Sequence, residues 1–242
     1  MQHGAEILVI GNEILSGKVQ DANAPFLISE LRQLGVPLHR VTTIPDDRAL
    51  VAAEVALAAS RSAHVFTTGG IGPTLDDITI AAVADAFGLA IVRNAALEHL
   101  ITTRSAPPIT EAHLRMADLP VGATLIMGDG ATWPVVSVRN VYIFPGTPSL
   151  VRRKFAIIRE RFRQAPWILR RIDLNADEAH YSPALDEVAA EFPGLGIGSY
   201  PHDTPSDHTA YVTLESKDPH DVEAGLALFL SRLHPGVVVR VV

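Results

Sequence analysis

Three glycines, Gly69, Gly70 and Gly72, follow Thr67 and Thr68, and Pro73, Thr74 and Leu75 lead on to two adjacent carboxylates, Asp76 and Asp77. Glycine lets the backbone come close to a ligand and adopt positive φ. The N–H groups at the start of a following helix can hold an anion. A carboxylate beside a phosphate repels it unless a cation lies between them, and oxygen ligands together with a phosphate suit Mg²⁺ or Mn²⁺, with Co²⁺ as a third candidate. The residue types therefore point to phosphate chemistry with a divalent ion on Asp76 and Asp77. The plainer alternative is a glycine turn in which Asp77 only caps the helix.

Two further loops offer similar chemistry. Gly11, Asn12, Glu13, Ile14, Leu15, Ser16, Gly17 and Lys18 follow an apolar run. The spacing is not that of a P-loop, because five residues separate the glycines and Val19 follows the lysine. Glu13 is a candidate general base or second metal ligand; Gly11, Ser16 and Asn23 are candidate ligand contacts. Against this, Glu13 and Asn23 read equally as a polar loop residue and a helix cap. Phe144-Pro145-Gly146-Thr147-Pro148 opens a helix whose residues Arg152, Arg153 and Lys154 are basic. Pro145 and Gly146 would close a pocket, or else make a tight turn before a solvated basic face. His202, Asp203, Asp207 and His208 cluster in one connection and read as a polar hairpin loop, with metal binding as the alternative. The glycine loop is not a dinucleotide fingerprint, since its third glycine is missing. No Gly-x-Ser-x-Gly elbow occurs, so an α/β-hydrolase triad has no support, and the absence of cysteine rules out disulfides, thiolate metal sites and cysteine nucleophiles.

The elements that must hold these residues follow from periodicity. Residues 5–10 form an apolar run of the kind a parallel strand buries on both faces. A helix is expected over 22–34 with Asp21 or Asn23 as its cap, and a strand over 36–44. A helix over 48–60 follows, capped by Asp46 or Asp47, then a strand over 64–68 and a helix over 78–87 stopped by Gly88. This alternation predicts a mostly parallel sheet with helices on both faces. Ligands in such sheets bind beyond the carboxyl ends of the strands, where the glycine loop must lie. Helices are expected over 95–104 and 110–117, a turn at 119–122, a hairpin over 134–144 and a helix near 149–163. From 165 onward the order is strand 167–174, helix 177–191, strands 196–200 and 209–215, helix 219–233 and strand 237–241. That is a βαββαβ, ferredoxin-like pattern, so two domains are expected, 1–164 and 165–242.

The chain has 242 residues, 48% hydrophobic and 19% charged, enough to bury a core. Its net charge of −7 argues against nucleic-acid binding, which wants a basic footprint. No apolar run approaches the ~18 residues of a membrane span, and the first residues lack a basic leader. A cytoplasmic protein that binds small molecules is the expectation.

Taken together, the motifs resemble the MoaB/Mog-type molybdopterin-binding domain, and most closely the N-terminal region of the competence/damage-inducible CinA family. The resemblance rests on Ala5–Gly17, on Asn23 and Ala24, on Thr68–Asp77, and on Pro145–Ser149, and it covers residues 5–163. Residues 167–241 are similar to the small βαββαβ domain that follows in CinA proteins. The resemblance implies a three-layer α/β sandwich and metal-dependent hydrolysis of a pyrophosphate such as ADP-ribose. For the related domain of eukaryotic FAD synthases it implies hydrolysis of FAD. The Mog branch implies instead non-hydrolytic molybdopterin binding in molybdenum cofactor synthesis. It also implies a homo-oligomer, dimer or trimer. On that basis Thr68, Gly69, Gly70, Gly72, Pro73, Pro145 and Gly146 would contact the ligand, and Asp76, Asp77 and Glu13 would be catalytic. The sequence departs from the family around Asp129–Val136, where Trp133 bears on ligand choice. The nicotinamide-nucleotide amidase segment of CinA proteins has no counterpart in these residues, so deamidation is not expected.

Overall fold

The computed structural model describes residues 4–129, 133–202 and 207–242. They divide into two compact units, 1–164 and 165–242.

In the first unit, β1 (Ala5–Ile10) is buried along its whole length. Its one polar member, Glu6, accepts two hydrogen bonds from Arg61 at 2.6 Å and one from Ser62 Oγ at 2.7 Å. Burial pushes the Glu6 carboxyl up, but these bonds outweigh burial and hold it below its ordinary value. The following elements are α1 (Asn12–Leu15), α2 (Asn23–Gln33), β2 (Leu38–Ile44), α3 (Arg48–Arg61), β3 (His64–Thr68) and α4 (Thr79–Phe87). Then come β4 (Ile91–Arg93), α5 (Ala95–Arg104), α6 (Glu111–Arg115), β5 (Asp118–Pro120) and β6 (Thr124–Ile126). The hairpin of β7 (Val135–Val138) and β8 (Val141–Phe144) and the helix α7 (Pro148–Ile158) close the unit. The main sheet has the order β2-β1-β3-β8-β7-β6, parallel across its first four strands and antiparallel beyond. Side chains alternate across it. Leu8, Ile10 and Val65 pack with α3, α4 and α5, whereas Ile7, Val9 and Phe66 pack with α2 and α7. The result is a three-layer α/β sandwich.

Two local features differ from the sequence reading. Residues 118–120, expected as part of a turn, pair antiparallel with β4 as a small separate sheet. β6 extends the main sheet beyond the expected hairpin. Strands of three residues carry too little periodicity to read. At the caps, Asp47 accepts from Ala49 and Leu50 N–H and so holds the start of α3, and Asp21 accepts from Asn23 and Ala24 N–H ahead of α2.

In the second unit, β9 (Ile168–Leu174), α8 (Glu178–Glu191), β10 (Gly196–Pro201), β11 (Ala210–Ser216), α9 (Pro219–Arg232) and β12 (Val238–Val241) follow the expected βαββαβ order. The sheet is antiparallel, ordered β10-β11-β9-β12. Ile172, Leu174, Val212 and Leu214 pack with Tyr181 and Val188 of α8 and Phe229 of α9. Alternation turns Asp173 away from that core; it is 0% exposed and accepts from Arg171 (2.6 Å) and Arg240 (2.5 Å). His202 and His208 face each other, Nε2 to Nε2, at 2.8 Å. His208 also pairs with Asp207 through Nδ1 and with Arg171 through Nε2. Asp203 lies outside the described residues.

Among the described residues, no helix is long and apolar enough to cross a membrane.

Candidate functional site

The carboxyl ends of β1, β3 and β8 meet at one rim of the sheet. Gly69 N–H donates to the Phe144 carbonyl (3.1 Å), and Gly69 has φ +101°. A methyl group there would stand 2.1 Å from the Ile10 carbonyl oxygen, so only glycine fits. Gly146 abuts the Gly69 Cα: a Cβ on Gly146 would lie 3.7 Å from it. Gly70, also at positive φ, is clasped from α4. Its carbonyl accepts from Thr79 N–H (2.9 Å), and the Thr79 hydroxyl donates to the Gly69 carbonyl (2.8 Å).

Asp77 does not cap α4. The residue at that cap is Ile78, which has no side-chain bond to offer. The Asp77 carboxylate turns back into its own loop, accepting from Gly72 N–H (2.5 Å), Thr74 N–H (2.8 Å) and Thr74 Oγ1 (2.6 Å). Thr74 Oγ1 also lies 2.5 Å from Asp76 Oδ1. Its hydroxyl holds Asp76 below the ordinary carboxylate value. A hydroxyl has one proton, so one of these two oxygen pairs brings lone pairs together.

These residues edge a cavity of about 1560 Å³. Drug-sized ligands occupy roughly 300–1,000 Å³, so a dinucleotide has room here. The cavity brings together Glu13, Gly69, Gly70, Gly72, Pro73, Asp76, Asp77, Pro145 and Gly146 from the three segments that follow β1, β3 and β8. The remaining expected contacts lie off its wall. Gly11, just after β1, donates its N–H to the Ile44 carbonyl at the end of β2. The exposed Ser16 hydroxyl donates to the Glu13 carbonyl (3.3 Å), and Thr68 is buried within β3. Asn23, 6% exposed, donates from Nδ2 to the Gly146 carbonyl (2.7 Å), so it fixes the loop that the ligand would meet.

Sequence reasoning missed Asp46, Thr74 and Thr79. Asp46 lines the cavity and accepts from Asn12 N–H at 2.8 Å. Its signal was the tandem Asp46 and Asp47 just beyond a strand end, where one aspartate is enough for a cap. Arg115 of α6 reaches the Pro73 carbonyl (3.4 Å). Among the described residues, no three acidic or histidine side chains converge as a self-sufficient metal site. The oxygen-rich spot at Asp76, Thr74 and Asp77 still suits a hard cation that takes its other ligands from water and phosphate, as Mg²⁺ commonly does.

Residues 6–164 match the family described as "Probable molybdopterin binding domain". The chain belongs to that family. Residues 166–242 match "FAD synthase, middle domain". A protein of Archaeoglobus fulgidus is 32% identical over 81% of this chain and 84% of its own length. A CinA-like protein of Gloeobacter violaceus is 37% identical over 64% of this chain and 38% of its own. A probable FAD synthase of Caenorhabditis elegans is 30% identical over 91% of this chain and 48% of its own. The chain thus spans less than half of the last two relatives. The crystal structure of CinA from Thermoplasma acidophilum, itself described as of unknown function, superposes with a TM-score of 0.61 at 26% identity. It covers 66% of this chain and 98% of that one. The first unit of this family member is therefore CinA-like in sequence and fold.

Proposed function

We propose that the first unit is a divalent-metal-dependent pyrophosphatase acting on a nucleotide diphosphate such as ADP-ribose or FAD. One observation carries the reading: a glycine cradle and two carboxylates crowding one hydroxyl share the rim of a cavity large enough for a dinucleotide. The likeness to FAD synthases and to their middle domain supports FAD-related nucleotide chemistry as the substrate class. Backbone N–H groups of Gly70 and Ile71 would orient a phosphoryl group, since phosphoryl transfer needs mainly positioning and charge neutralisation. Asp76 would hold the ion together with the Thr74 hydroxyl oxygen, while Asp77 keeps the loop in shape. When bound, a divalent ion supplies a Lewis acid for a phosphoryl oxygen and a more acidic water. Glu13, in α1 at the edge of the cavity, is the candidate base for that water.

The family match favours a second reading, non-hydrolytic binding of molybdopterin. The test is incubation with ADP-ribose or FAD and Mg²⁺, Mn²⁺ or Co²⁺, with AMP as the product measured. AMP release that stops on chelation supports hydrolysis. Pterin binding with no cleavage of either nucleotide under any metal overturns it in favour of the second reading.

A further inference from the structure

Helix α7 presents two distinct stripes. Val151, Phe155 and Ile158 are buried in the core. Leu150, Arg153, Lys154 and Ile157, at the i, i+3, i+4, i+7 spacing of one helical face, line the cavity. The helix begins just after Gly146, so this stripe runs away from the glycine cradle along the cavity wall. It carries two cations between two apolar side chains. Lys154 is half-buried, and its ammonium donates to the Pro134 carbonyl. No ion pair of Arg153 or Lys154 occurs among the described residues, and burial alone pushes the Lys154 ammonium down to about 8. Removing an ammonium from water without a counter-charge is costly. An anionic ligand removes that cost.

We propose that Arg153 and Lys154 form a second anion subsite, which takes the second phosphoryl group of a diphosphate whose first lies on the glycine loop. This rests on the reading of that loop as a phosphate cradle. It selects diphosphates over monophosphates, because a single phosphate on the cradle leaves the α7 cations unanswered. Above pH 8 Lys154 loses its charge in the free protein, so diphosphate affinity falls while Arg153 keeps a residual hold.

The test uses the full chain with Lys154→Met and Lys154→Arg, each checked for folding by circular dichroism. Calorimetry with Mg²⁺ measures binding of AMP and of α,β-methylene-ADP, which carries two phosphoryl groups and resists cleavage. Lys154→Met should weaken the methylene analogue about tenfold or more, near 1.4 kcal/mol, and leave AMP unchanged. Lys154→Arg should restore it and flatten its decline between pH 7 and 9. In turnover of ADP-ribose, Lys154→Met should raise KM and spare kcat. If wild type cleaves ADP-ribose but Lys154→Met keeps both its KM and its affinity for the analogue, the subsite fails and the hydrolase reading stands. If the analogue discriminates as expected but no nucleotide is cleaved, the subsite stands and the hydrolase reading fails. Equal losses for AMP and the analogue overturn the subsite. No binding of either by wild type overturns both.

Discussion

Two neighbouring aspartates share the Thr74 hydroxyl, yet their surroundings assign them different work. Asp77 accepts from two backbone N–H groups as well as from that hydroxyl. An asparagine there would turn an amide NH₂ toward some of the same donors, and the loop would lose its closure. Asp76 is exposed, and its one side-chain contact is the Thr74 hydroxyl. That hydroxyl holds the Asp76 carboxyl below its ordinary value, so it is a ready oxygen ligand at neutral pH. The two substitutions should therefore separate. Asp76→Asn should cut turnover by about 10²-fold or more, the scale of removing one electrostatic contribution to a transition state, with amide exchange across 70–77 unchanged. Asp77→Asn should cut turnover and also speed that exchange. Equal exchange in the two variants would make both aspartates equivalent and remove the division of roles.

At the level of elements, the site is a junction of strand ends, and Gly69 is its tightest point. It carries positive φ, its N–H bonds to β8, and its missing side chain admits the Ile10 carbonyl of β1. Gly69→Ala should destabilise the chain by roughly 1–3 kcal/mol, the cost of an L-residue held in a disfavoured backbone region, plus whatever the displaced carbonyl adds. A lowered urea midpoint at constant slope is the expected result; an unchanged midpoint would mean the junction can open without cost. The junction was legible because β1 is a mostly apolar run, β3 is a short strand, and each runs directly into glycine. The roles inside it were not. Asp77 precedes a helix, which looks the same in sequence whether the carboxylate caps that helix or closes the loop before it. Lys154 lies on a basic stretch that reads as solvated, yet it is half-buried and its ammonium donates to the carbonyl of Pro134, twenty residues earlier just before β7. Asn23 looked like a ligand contact or a cap, and its partner Gly146 lies far along the chain. For Lys154 and Asn23 the partner is supplied by a distant element, whereas the partners of Asp77 lie within its own loop.

On the scale of the whole molecule, charge is divided unevenly. Residues 165–242 hold 12 of the 27 acidic and 5 of the 20 basic side chains, so all of the net charge of −7 falls there and the first unit is balanced. An anionic ligand therefore meets no net repulsion from the unit that carries the cavity. Within that balance the first unit leaves Lys154 uncompensated and gives Glu6 two strong partners, and the two groups tilt stability in different pH windows. Glu6 titrates lower when folded than when unfolded, so its contribution is complete above the ordinary carboxylate value and is lost as pH falls through its folded value. Lys154 is also lowered, from 10.5 to about 8, but here the charged form is the one that folding disfavours. Between those values the unfolded chain holds more protons than the folded one, so stability rises with pH across that window. Below pH 8 the cost of the desolvated ammonium is fully present. Methionine fills nearly the same space without charge. Lys154→Met should accordingly melt at a higher temperature than wild type at pH 7, with the difference shrinking as pH rises toward about 10. Scanning calorimetry of both proteins across pH 7–10 measures it. A pH-independent difference, or a less stable variant at pH 7, would mean that the ammonium is well solvated or already paired in the free protein. A stabilising substitution that also weakens diphosphate binding would be the mark of a residue kept for its ligand at the expense of the fold.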